Sequence, residues 1–247
     1  GFCSTKFLDT SFSEPFCFLM DMSLVGVGVA FDTKGAGLVE IKQPKISEFT
    51  YVVDDSREGW IEIVRVILEA YVGHGGIPEK IDYSKIRPEG SPIKTFGGIA
   101  PGPDPLILCI KELRQVLDSR IGEKITSGDI VDIMNILGKA VVSGGIRRTA
   151  ELALGDPNDE EYMKLKDPVL YSKELKSWRW ASNNSVSAIL GMDYNKFAEQ
   201  TAKNGEPGYF WLENARKYGR LKDGPTWIDD LVEGTNPCGE QSLENCE

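Results

Sequence analysis

At 247 residues the chain is long enough for one large domain with a substantial core, and its 41% apolar and 27% charged content is that of an ordinary globular protein. A net charge of −10, with no Lys/Arg stripe among aromatics, argues against direct nucleic-acid binding, and the longest apolar run, 16–29, is broken by Asp21, Gly26 and Gly28 well short of a bilayer span. Five widely spaced cysteines, an odd number, fit a reducing cytoplasm better than a disulfide scaffold or a zinc site, and no signal peptide is visible.

In chain order, residues 16–31 read as a helix or strand lead-in followed by Gly26-Val27-Gly28-Val29, where glycines at alternate positions let another backbone or a ligand approach one face. Tyr51-Val52-Val53 reads as a short strand. A helix over 60–71 starts near Ser56 and carries Ile61, Val64, Leu68 and Tyr71 on one side. The Gly/Pro-rich stretch 73–105, with the single histidine His74, reads as loops around one or two short strands. Two helices follow. The first spans 106–119, with Leu106, Ile110, Leu113 and Leu117 on one face, and the second spans 126–142, capped by Thr126-Ser127-Gly128-Asp129 and stopped by Ser143-Gly144-Gly145. Residues 147–154 read as a loop feeding a strand, 160–166 as a short acidic helix, 184–189 as a strand, 194–204 as a helix and 209–211 as a strand. Alternating strands and helices predict an α/β architecture. Cys17 and Cys109 fall in apolar or helical patterns and read as core.

The most informative stretch is Asn236-Pro237-Cys238-Gly239-Glu240. Pro237 fixes φ and Gly239 permits a tight reversal, so a thiol and a carboxylate are presented together, as chemistry with a sulfur reactant and a general base requires. The plain alternative is a structural cysteine in an Asx-Pro turn. The whole string Gly234-Thr235-Asn236-Pro237-Cys238-Gly239-Glu240-Gln241-Ser242-Leu243-Glu244 resembles the active-site finger loop of ribonucleotide reductases. Further strings are similar to the adenosylcobalamin-dependent ribonucleoside-triphosphate reductases of that family: Trp180-Ala181-Ser182-Asn183-Asn184-Ser185-Val186, Lys94-Thr95-Phe96-Gly97-Gly98, Gly102-Pro103-Asp104-Pro105-Leu106, Arg147-Arg148-Thr149-Ala150-Glu151-Leu152-Ala153-Leu154-Gly155, Asn204-Gly205-Glu206-Pro207-Gly208 and Tyr218-Gly219-Arg220.

The resemblance implies a class II enzyme whose fold is a ten-stranded α/β barrel with a central finger loop carrying the active-site cysteine. Residues 1–247 would be a partial catalytic barrel domain, roughly its first half, and 13–143 would include the specificity-effector region. It implies adenosylcobalamin as cofactor, a ribonucleotide substrate, a deoxynucleoside triphosphate effector and a thioredoxin-type reductant. Cys238 would carry the thiyl radical, Glu240 would be the base on the 3′-hydroxyl, and Asn236 would bond the ribose hydroxyls. Of the reducing thiols, Cys3 would be the early member on an inner strand facing Cys238, unless that role falls to the residue upstream of Gly1. Cys246 would be the late one, although the implied spacing runs just past Glu247. Ser13, Asp21, Arg147 and Arg148 would contact effector or substrate. Solvated side chains are the plain alternative for Asp21 and the arginines, and His74 reads as a loop residue, not a metal ligand. Two other readings stand beside this one: the large subunit of a class I reductase, and a non-catalytic nucleotide-binding regulatory domain. The start at Gly and the stop close to the loop suggest a longer protein.

Overall fold

The computed structural model describes residues 1–93, 98–143, 149–220 and 231–247. In chain order the elements are β1 (Phe2–Cys3), α1 (Glu14–Leu24), β2 (Val29–Asp32), β3 (Ile46–Val52), α2 (Arg57–Ala70), β4 (Ile77–Asp82), α3 (Asp104–Asp118), α4 (Ser127–Val142), β5 (Glu151–Gly155), α5 (Glu160–Lys164) and α6 (Ser172–Glu174). A π-turn (Leu175–Arg179) continues α6. It is followed by β6 (Ser182–Ser187), α7 (Asn195–Asn204), β7 (Gly208–Phe210), α8 (Leu212–Tyr218), β8 (Gly234–Thr235) and β9 (Ser242–Leu243).

Five strands form one sheet in the order β1-β2-β5-β6-β7, and every pairing is parallel. The register sets Cys3 beside Phe31, Phe31 beside Ala153, and Leu154 beside Ser185. Each parallel connection crosses over through helix, as parallel strands require. Helices α1 and α4 lie against the sheet, and α2 and α3 pack against them. The longer crossover between β2 and β5 also holds the two-stranded parallel sheet β3-β4, bridged by α2.

Pleating divides the sheet into two faces. Cys3, Val29, Phe31 and Ala153 join the main core with Phe16, Leu19, Met20, Leu68, Leu113 and Ile133 of the helices. Phe2, Ala30, Leu152 and Leu154 form a second cluster on the opposite face, packed by Phe210 and Leu243. The helices follow local rules. Ser56 accepts from the Gly59 N–H to start α2, and Thr126 with Asp129 closes a capping box on α4. The α2 stripe is Ile63, Val64, Ile67 and Leu68, continued by Tyr71, so the expected face is rotated slightly and Ile61 is only half-buried. All four residues expected on the α3 face are buried.

A bidentate ion pair locks the far side of the core. Arg179 donates Nε to Asp132 Oδ1 at 2.6 Å and Nη2 to Oδ2 at 2.8 Å, and Trp178 Nε1 donates to Oδ1 at 2.8 Å. Burial raises the Asp132 carboxyl and outweighs the opposing pull of Arg179. Among the described residues, no helix is long and apolar enough to cross a membrane.

Candidate active site

The segment after residue 231 returns to the sheet as a hairpin, β8 pairing antiparallel with β9. It lies on the face opposite the helices. A Cβ on Gly234 would stand 2.2 Å from the Phe2 ring, so only glycine lets the stem press flat on β1. At its start Glu233 ion-pairs with Lys6 and Lys34, just past the C-terminal ends of β1 and β2. At its tip Pro237 touches Gly28, just before β2 begins. The hairpin therefore runs from the C-terminal to the N-terminal edge of the strands. Gly28 meets the expectation of close approach: the approaching group is the loop itself.

Asn236 organises the tip. Its side-chain Oδ1 accepts from the Gln241 N–H at 3.0 Å, and its backbone N–H donates to the Gln241 carbonyl at 3.2 Å. The Gly239 N–H closes the reversal on the Asn236 carbonyl at 3.0 Å, with Gly239 at φ +85°. Pro237 and Cys238 are the two central residues of this turn, with Pro at the position that favours it. The thiol thus stands at an exposed corner. Asn236 Nδ2 donates to Glu240 Oε1 at 2.7 Å, which ties the carboxylate to the same bracket. The structure brings Asn236, Cys238 and Glu240 together on one rigid turn.

Cys3 lies elsewhere. It is fully buried on the helix-facing side, its Sγ 3.5 Å from the Pro15 carbonyl of α1. This differs from an orientation facing Cys238, and the reason is the pleat: Phe2, not Cys3, points to the hairpin. Burial, then the Asp32 carboxylate, raises the Cys3 thiol well above its ordinary range. Cys246 is exposed, and its N–H donates to the Phe2 carbonyl at 3.0 Å, so it borders β1. Partial burial and the carboxylates of Glu14 and Glu233 raise its thiol. Cys17 and Cys109 are core residues with thiols raised by burial, Cys17 to about 12.

Ser13 and Asp21 share the seam between α1 and α2. Ser13 precedes α1, its N–H donates to Glu69 Oε1 at 3.1 Å, and its hydroxyl accepts from Arg65 at 3.3 Å. Asp21 pairs with Arg57 at 3.2 Å. Arg147, Arg148 and the string 94–97 lie outside the described residues. His74 pairs with Glu69 and is exposed. Among the described residues no cluster of His, Cys, Asp or Glu is arranged to hold a metal ion.

Sequence reasoning did not find Glu233, Lys6 and Lys34, nor Arg220, which reaches the Ser242 carbonyl, Glu244 and Glu247. Gly219 of Tyr218-Gly219-Arg220 lies against Ser242, where a Cβ would stand 1.9 Å from Oγ, a contact between distant residues that the string itself does not encode. Glu151 was also missed. It is buried at the start of β5 with Oε2 accepting from Asn135 at 3.1 Å, and burial pushes its carboxyl up to about 8.

Residues 32–117 match the family described as B12-dependent ribonucleotide reductase, insertion domain. The whole chain is 44% identical to a probable adenosylcobalamin-dependent ribonucleoside-triphosphate reductase of Dictyostelium discoideum and 43% identical to the adenosylcobalamin-dependent ribonucleoside-triphosphate reductase of Euglena gracilis, covering 35% and 34% of those proteins. A solved structure of a B12-dependent (class II) ribonucleotide reductase superposes with a TM-score of 0.82 at 33% identity, over 94% of this chain and 37% of that one. The chain therefore spans about a third of the length of the curated relatives it matches. These relatives do not favour the class I or regulatory-domain alternatives. In sequence along its whole length and in its parallel-sheet architecture, the chain is similar to the B12-dependent, class II ribonucleotide reductases.

Proposed function

We propose that the protein carrying this chain reduces ribonucleoside triphosphates to 2′-deoxyribonucleotides by a thiyl-radical mechanism, and that residues 236–240 are its reactive loop. The single observation behind this is the turn on which Cys238 projects while Asn236 holds Glu240 at 2.7 Å. A thiol gives up a hydrogen atom readily, and a carboxylate accepting from an amide is poised as a base. The Cys238 thiyl takes the ribose 3′ hydrogen atom, Glu240 takes the 3′-hydroxyl proton, the 2′-hydroxyl departs as water with a proton from one of two reducing thiols, and Cys238 finally returns its hydrogen atom to C3′. Two thiols supply the two electrons and become a disulfide, with Cys246 as one of them, and a thioredoxin-type reductant restores the pair.

Adenosylcobalamin, when bound, supplies the initiating radical. The exposed corner position of Cys238 suits a bulky cofactor approaching from outside the sheet. Ser13 and Asp21, with Arg147 and Arg148, are proposed contacts to a deoxynucleoside triphosphate effector or to substrate, and the protein is proposed to act in the cytoplasm.

The test is product formation by the full-length protein with and without adenosylcobalamin. Strict dependence on the cofactor is expected. Glu240→Gln should lower turnover by roughly 10²–10⁴-fold while substrate affinity changes far less. Cofactor-independent turnover contradicts the class, and unchanged turnover in Glu240→Gln contradicts the base.

A further inference from the structure

The hairpin must place Cys238 accurately, yet the side chains of its stem meet β1 through apolar contacts. Phe2 against Gly234, and Leu243 against the second cluster, exclude water but have no direction. A slip of one residue along the sheet would move the tip by about 3.3 Å. Backbone hydrogen bonds of Phe2 with Cys246 and Glu247 hold the chain beyond β9, so what is left to fix by a directional contact is the start of the stem, at β8.

We propose that Glu233 is a positioning residue which, with Lys6 and Lys34, sets how far the hairpin reaches across the sheet and hence where Cys238 stands. The proposal rests on the reading of Cys238 as the reactive thiol. Glu233 is the first rung of the hairpin, its N–H donating to the Leu243 carbonyl at 2.9 Å. One carboxylate oxygen pairs with Lys6 and the other lies 3.7 Å from Lys34 Nζ. The two lysines come from different strand ends. Lys34 also pairs with Asp32 at 3.2 Å, and Asp32 is itself fixed: 3% exposed, it accepts from the Ser4 hydroxyl at 2.6 Å and from the Thr5 N–H at 2.8 Å. Glu233 thus grips ammonium groups anchored to the rigid frame of β1 and β2, and both of its oxygens are engaged at one register only. Its side chain is 17% exposed, which limits screening of the pair. Partly exposed ion pairs add little to folding, so the clamp should govern position far more than stability.

The test uses the full-length protein with Cys246 and any exposed cysteine outside residues 1–247 changed to Ser, and a nitroxide on Cys238. Cys3, Cys17 and Cys109 are buried and stay unlabelled. Glu233→Gln should add a mobile component to the spectrum while the melting temperature shifts by no more than about 3 °C. In the unlabelled protein it should lower kcat about tenfold or more with KM within about twofold. Lys6→Met is the second variant, expected to act in the same way. A spectrum identical to that of the parent overturns the proposal, as does loss of the folded state in both variants. A mobile spectrum with unchanged turnover supports the clamp and counts instead against the reactive role of Cys238.

Discussion

Pro237 lies in the space that a side chain on Gly28 would occupy. A Cβ at position 28 would stand 3.1 Å from Pro237 Cγ, 3.2 Å from the Ala150 carbonyl oxygen and 3.3 Å from the Ala150 Cβ. The start of β2, the residue before β5 and the loop tip therefore meet at one glycine. Gly28→Val should displace the tip, since two of the three neighbours belong to the framework. Overpacking of this kind costs about 1–3 kcal/mol, and a displacement of about 1 Å can cost on the order of 10²-fold in rate. Steady-state kinetics and thermal melting check this. Gly28→Ala, which needs only a few tenths of an ångström, should be much milder.

Glu151 predicts a pH dependence of stability. Its folded pKa, about 8, lies above the ordinary value of 4.5 because the carboxyl is buried. The folded state therefore keeps a proton that the unfolded state releases. The penalty is absent below about pH 4.5, grows as pH rises towards 8, and is constant above that. Glu151→Gln, which mimics the protonated form, should be near neutral at pH 5 and increasingly stabilising towards pH 8, by up to about 1.4 kcal/mol per pH unit. Urea unfolding at the two pH values reads the difference, and an equal effect at both would show that Glu151 is ionised in the fold.

The Asp132–Arg179 pair should matter most when half broken. Arg179→Met leaves a buried carboxylate that also faces Trp178, and breaking such a pair costs about 3–5 kcal/mol. Asp132→Asn combined with Arg179→Met should recover part of that loss. Chemical denaturation of the single and double variants provides the check, and a loss under about 1 kcal/mol in the single variant would show the pair to be solvated.

The two thiols next to β1 should behave differently. Pre-reduced full-length protein given substrate without external reductant should make about one product per site, and mass mapping of the oxidised thiols should include Cys246 and leave Cys3 free. The Cys3 thiol is walled in by α1 and points away from the hairpin. Recovery of Cys3 in a disulfide would require β1 to turn over and would contradict the face assignment.

Much of this was legible in the sequence where local chemistry decides. Helices α2, α3 and α4 follow from their periodicity and from Ser56, Thr126 and Asp129, and the tight turn of Asn236–Glu240 follows from Pro237 and Gly239. What was not legible depends on partners far away in sequence. Strand β1 has two residues and no pattern of its own, and only pairing with β2 makes it a strand and decides which way Cys3 points. Helix α8 buries no residue and has no apolar stripe; its end is docked by the contact of Gly219 with Ser242. The clamp at Glu233 joins residues from opposite ends of the chain, a placement that no local pattern encodes.

The central claim is that Cys238 carries the reacting sulfur, and Cys238→Ser in the full-length protein tests it most directly. Serine keeps the turn, because Pro237, Gly239 and the Asn236 bracket are untouched, but its O–H bond is too strong to serve as a hydrogen-atom shuttle. With nucleotide binding measured in parallel, the account predicts unchanged affinity and deoxynucleotide formation below about one per cent of the parent rate. Turnover above that level with binding intact would contradict it.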